Sequence, residues 1–143
     1  MGGTPHYGTQ TKARKAALDI LFAAELRGIG FVEMFDERRN LDEVVFRGLT
    51  TSIVLGVAEH QGEIDARLAA LVSDSWSVQR MPAVDRNLAR MALFELDYTD
   101  TPGPVVIAEA VRLASDLSTD ESPSFLNGLL AKALTTRKPP TDA

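Results

Sequence analysis

The chain contains no cysteine, which excludes disulfide staples, cysteine-ligated zinc, iron–sulfur clusters and thiol catalysis together. Histidine is nearly absent as well: only His6 and His60 occur, so imidazole chemistry and metal binding have little to draw on. No run approaches the roughly 18 consecutive apolar residues of a membrane-spanning helix. Residues 1–10 are polar and glycine-containing, without the apolar core of a signal peptide; a cytoplasmic address is expected. A glycine-rich phosphate loop, a nucleophile elbow and a metal-spaced cluster of His, Asp and Glu are all missing. Asp85 and Glu95 lie on one segment but about 80° apart in helical rotation, so they form no acid pair. No catalytic residue, metal or cofactor is expected, and the reading is non-enzymatic.

What is present is globular. The 143 residues are 45% hydrophobic and 24% charged, the size and balance of one domain or two small docked halves. The net charge is −5, but it is unevenly spread. Residues 1–18 carry Lys12, Arg14 and Lys15 and no acid, whereas residues 91–126 carry seven acids against Arg112 alone. An acidic body repels polyanions, so any contact with nucleic acid must be local to the cationic edge. The acidic stretch suits a basic protein partner or a solvated surface.

Helical periodicity dominates the chain. From Thr11, the residues Ala17, Leu18, Leu21, Phe22 and Leu26 recur on one side, and Gly28 supplies a stop. A short amphipathic piece follows, from Val32 and Phe35 to Arg39, closed by Asn40. Asp42 is placed to cap the next segment. There Phe46, Leu49, Ile53, Val57, His60, Ile64, Leu68 and Leu71 step by three and four, which predicts one continuous helix over about 42–72. Gly56 and Gly62 each cost it about 1 kcal/mol relative to alanine, a cost that close packing can offset. His60, in phase with this stripe, reads as a core or boundary residue. A connection with Trp76 leads to Pro82 and a fifth segment carrying Val84, Leu88, Met91 and Glu95 in one register. Pro104 opens a helix ending near Leu117, and 118–123 is a cap-rich entry to a last helix with Phe125, Leu126, Leu129, Leu130 and Leu134. The fold class is all-α, with loose tails at 1–10 and 135–143.

The first helix carries the functional hint. Lys12, Lys15, Asp19, Phe22 and Leu26 line one edge of it. Cations can pair with phosphates there and a ring can stack on an unpaired base, as single-stranded RNA requires.

Three stretches resemble the NusB family of bacterial transcription antitermination factors. They are Lys12-Ala-Arg-Lys-Ala-Ala-Leu-Asp-Ile-Leu-Phe-Ala-Ala-Glu-Leu at 12–26, Met81-Pro-Ala-Val-Asp-Arg-Asn-Leu-Ala-Arg-Met-Ala-Leu-Phe-Glu-Leu at 81–96, and the run from Pro104 through Ser122-Pro-Ser-Phe-Leu-Asn-Gly to Leu130. They occur in family order over about 11–134. The resemblance implies about seven helices in two packed subdomains, near 11–72 and 73–134. It also implies binding of boxA RNA together with NusE, a ribosomal small-subunit protein. In that family the complex joins other Nus factors on RNA polymerase and opposes termination, notably in ribosomal RNA operons. Catalysis is not implied.

By the same resemblance, Lys12, Arg14 and Lys15 fall in the RNA-binding segment, Phe22 beside it, and Asp85 at a seam between RNA and partner. Phe125 and Asn127 fall near RNA, although either also suits helix packing. Arg86 and Arg90, four apart on one face, can meet RNA or a carboxylate. Together with Glu95 and Glu109 they mark the expected NusE surface on the fifth and sixth helices. Gln10 and Thr11 stand where the family often has more cations, so the isolated chain is expected to hold boxA weakly until NusE joins. A helical protein-interaction module or homodimer without RNA binding is the alternative reading, and a homodimer is also compatible with the family.

Overall fold

Leu18, Leu21 and Ala24 lie on the buried side of the first helix, and the backbone after them turns at Gly28 in the left-handed region, φ 69°. Glycine reaches that region without steric cost, and its N–H closes onto the carbonyls of Ala24 and Glu25. The computed structural model describes residues 7–41, 45–72 and 77–137. Among these, seven α-helices follow in order: α1 (Thr9–Arg27), α2 (Phe31–Leu41), α3 (Gly48–Glu59), α4 (Gln61–Leu71), α5 (Ala83–Tyr98), α6 (Gly103–Leu117) and α7 (Ser122–Thr135), with a 3-10 turn at Val78–Arg80 before α5. The all-α expectation holds. Asp42 and Trp76 lie outside the described residues.

The core is organised around α5, which packs against α1, α3, α4, α6 and α7. Its residues from Asn87 to Leu96 are all buried, so it presents no solvent stripe. The apolar members Leu88, Leu93 and Leu96 are almost fully enclosed, each contributing about 1.5–3 kcal/mol by burial. The polar members require partners, and those partners define the site described below. At the far end of α5, Arg137 donates to the carbonyls of Leu96, Thr99 and Thr101.

Two expectations are corrected. The helix expected over 42–72 is two helices, broken at His60, whose φ −108° and ψ 19° leave the helical range. The break spans one residue, and the spacing of three and four runs through it unchanged. His60 stacks on Tyr98 with ring centroids 3.9 Å apart, the boundary position its phase suggested. Gly56 is closely packed: a Cβ there would lie 2.1 Å from the Phe94 ring, whereas one at Gly62 would meet nothing. Only the first glycine is accounted for by packing. The tails are shorter than expected. Thr9 and Gln10 belong to α1, Tyr7 donates its hydroxyl to Asp116 under the Arg112 guanidinium, and Arg137 is tied to α5. Burial, followed by the bond to Asp116, pushes the Tyr7 phenol up to about 12.

Candidate nucleic-acid interface

Helices α1 and α5 run in opposite directions along a shared seam, and an arginine–carboxylate knot closes each end. At one end Arg14, 6% exposed, forms a two-pronged bridge to Glu95, with Nε–Oε1 at 2.8 Å and Nη2–Oε2 at 2.7 Å. Its Nη1 reaches Glu109 on α6 at 2.9 Å, and the Thr11 hydroxyl donates to the same carboxylate. The bond to Glu95, then the other carboxylate contacts, outweigh burial and hold Arg14 charged.

At the other end Glu25 accepts from Arg86 at 2.8 and 2.6 Å and from Arg90 at 3.1 Å. Arg90 reaches on to Asp65 on α4. The Arg86 guanidinium holds the Glu25 carboxyl below the usual carboxylate range against the opposing effect of burial. Arg86 also donates to the carbonyls of Val78 and Met81, fixing the turn that leads into α5. This knot floors a cleft of about 650 Å³ walled by α4 and that turn.

Asp85, next to Arg86, binds a different part of the fold. Its carboxylate is 1% exposed and accepts from the hydroxyls of Ser118 at 2.5 Å and Ser122 at 2.8 Å. Ser118 follows α6 and Ser122 begins α7. One acid in the first turn of α5 therefore joins the exit of one helix to the entry of the next.

The residues picked out by sequence are distributed unevenly over this frame. Lys12 is exposed, and its ammonium has no acceptor among the described residues. Lys15 is half-exposed and bridges Asp19 one turn on, at 3.1 Å, a surface pair of small energetic weight. Phe22 and Phe125 are half-buried, and Asn127 is exposed on α7. The expectation that Arg14 faces RNA is corrected: its donors are occupied inside the fold by Glu95 and Glu109. Asp85 is likewise internal: it is 1% exposed, and each of its oxygens accepts from a serine. Glu95 is 2% exposed and Glu109 is bonded to Arg14 and Thr11, so neither offers a free carboxylate to a partner. For Arg86 and Arg90, the carboxylate alternative is the one realised. The four residues expected to mark the NusE surface are thus engaged within the chain.

Sequence reading passes over Glu25 and Asp65, although Arg14, Leu18, Leu21 and Glu25 fall at steps of four, three and four on one buried stripe. It also misses Arg67, which pairs with Asp97 at 2.6 Å and donates to the carbonyl of Ala133. A charged residue in phase with an apolar stripe is the available signal in α1. The same signal exists in α4, where Arg67 falls between Ile64 and Leu71 at steps of three and four and Asp65 borders that stripe. Among the described residues no group of three His, Cys, Asp or Glu side chains could hold a metal, and no helix is long and apolar enough to cross a membrane.

Comparison with known proteins agrees with this architecture. The family model described as NusB family matches residues 11–135. A transcription antitermination protein NusB of Nocardioides sp. is 47% identical over 85% of this chain and 90% of its own length. A protein of the same name from Cutibacterium acnes is 46% identical over 89% of this chain, a match spanning 49% of that longer protein. Among solved structures, T. maritima NusB superposes with a TM-score of 0.80 at 28% identity, covering 94% of this chain and 96% of that one. The structure of antitermination factors NusB and NusE in complex with dsRNA gives 0.75 at 24% identity, covering 89% and 96%; at that identity it speaks to the fold. The chain belongs to the NusB family, and the relatives it matches over most of their length bear the name transcription antitermination protein.

Proposed function

We propose that this chain binds boxA-type single-stranded RNA together with a NusE-like ribosomal protein and acts in transcription antitermination, in the cytoplasm and without catalysing a reaction. The carrying observation is the placement of Phe22 and Phe125. Each is half-buried and sits one helical turn from a side chain bonded to the first turn of α5: Glu25 in one case, Ser122 in the other. Rings linked through neighbouring side chains to one helix start can stack on unpaired bases, while Lys12 and Lys15 at the start of α1 supply phosphate contacts. The antitermination role is supported by relatives of that name matched over most of their length, and a complex of NusB and NusE with dsRNA shares the fold.

In this reading Arg14 fixes the cationic edge in place and does not touch phosphate. The chain divides into helical halves near 11–72 and 73–134, and NusE meets surface outside the buried arginine–carboxylate knots. With so few exposed cations, the isolated chain binds weakly and NusE completes the site.

Gel shifts with boxA RNA against a scrambled strand, at two salt concentrations and with or without NusE, test this. Specific binding that strengthens at least several-fold with NusE is expected. Lys12→Glu is expected to weaken it about tenfold and flatten its salt dependence, the signature of a lost phosphate contact. Equal affinity for both strands would overturn the reading in favour of a protein-interaction module.

A further inference from the structure

Asp85 and Arg86 are consecutive residues in the first turn of α5, yet they bind different elements. Arg86 holds Glu25 near the end of α1, with bonds of 2.8 and 2.6 Å. Asp85 holds Ser118 and Ser122, with bonds of 2.5 and 2.8 Å. Phe22 lies three residues before Glu25, and Phe125 three residues after Ser122, spacings that put each ring on the same helical face as its tie. The first turn of α5 is thus the common reference for both aromatic residues. The Ser122 hydroxyl is shared with the Thr119 N–H and the Ser118 hydroxyl in the same small network.

We propose that Asp85 is a positioning residue for RNA: without touching the strand, its carboxylate sets the pose of the α7 entry, and so the distance between the Phe125 and Phe22 stacking rings. The proposal rests on the RNA-binding reading above. A buried carboxylate that accepts from two hydroxyls, one at the exit of α6 and one at the entry of α7, fixes their separation, each bond contributing about 1 kcal/mol net. The turn between α6 and α7 is short and carries its own polar side chains. Without the carboxylate, water can replace it and α7 can pivot at its start, while the apolar residues Leu126, Leu129 and Leu130 keep the helix docked.

The test titrates boxA RNA carrying 2-aminopurine at successive positions into the chain with NusE bound. It compares wild type with Asp85→Ala, Asp85→Asn, Ser122→Ala, Phe125→Ala and the Asp85→Ala/Phe125→Ala pair, with helicity followed by circular dichroism. Asp85→Ala is expected to weaken binding about fivefold, the effect of one net hydrogen bond. It should diminish stacking at the base that Phe125→Ala also affects, and leave the slope of affinity against salt unchanged. Asp85→Asn, which keeps an acceptor for one serine and an amide for the other, should restore most of the loss. The double variant should bind about as weakly as Phe125→Ala alone, since both act on one ring.

Unchanged binding by Asp85→Ala would overturn the proposal. So would tighter binding by both Asp85 variants, which would identify its charge as a mere repellent of RNA. Independent losses in the double variant would overturn it too. If Asp85→Ala does not fold, Ser122→Ala carries the same criteria, with an expected loss of about twofold. Failure of the wild type to bind RNA would instead strike the functional reading itself.

Discussion

The two ends of the α1–α5 seam use the same chemistry in opposite ways. At the Arg14 end, one guanidinium faces two carboxylates, with side chains 7%, 2% and 15% exposed. The adjoining void, about 10 Å³, is no larger than a single water needs. At the Arg86–Arg90 end, two guanidiniums face two carboxylates, and Glu25 and Asp65 are 25% and 33% exposed beside the cleft. In the first knot Glu95 is shut off from water and has no side-chain donor but Arg14. In the second, water can reach the acids, and two arginines share Glu25. Identical residue types therefore carry different weight at the two ends, and solvent access decides which.

The comparison can be broken most forcefully at Arg14. Arg14→Ala strands Glu95 among apolar side chains, and a loss of about 3–5 kcal/mol is expected, measured by urea denaturation. A loss below about 1 kcal/mol, the range of a solvated pair, would mean water enters that knot after all. Arg86→Ala should cost less, about 1–2 kcal/mol, because Arg90 still faces Glu25 and the cleft is wet. Its larger effect should be local, with faster amide exchange in the turn that Arg86 now ties through Val78 and Met81.

The gentlest probe is pH. Glu25 has its folded pKa lowered chiefly by Arg86. Its contribution is therefore fully present above the unfolded carboxylate value near 4.3 and is lost as pH falls through the lower folded value. The stability gap between wild type and Glu25→Gln should be constant from about pH 7 to 5 and should shrink below about 4. A gap independent of pH would show that Glu25 acts by packing alone.

Much of the fold is legible in the sequence because its signals are local. Gly28 after the periodic run of α1, Pro104 in the first turn of α6 and the polar entry to α7 each mark a boundary by backbone chemistry. The break at His60 is not legible: one non-helical residue leaves the apolar spacing intact, so a bend and a continuous helix share one pattern. The site is less readable than the fold. Lys12 is exposed and Phe22 half-buried, as their places along one edge of α1 suggest. Arg14, Asp85 and Glu109 read as solvent-facing charge because charge is seldom buried, and no rule on one helix reveals a partner 81 or 95 residues away. Glu95 does announce itself, standing in register with Leu88 and Met91, where an acid has to find a cation.

Arg137 lies beyond the last helix, yet its guanidinium gathers three carbonyls from the tail of α5 and the loop that follows. Backbone oxygens at a helix terminus are left without amide donors, and a single late residue supplies them here. Deletion from the carboxyl side, or a reporter spliced in at that place, would thus unfasten a helix laid down some forty positions earlier. Joining foreign sequence after residue 137 spares that clasp.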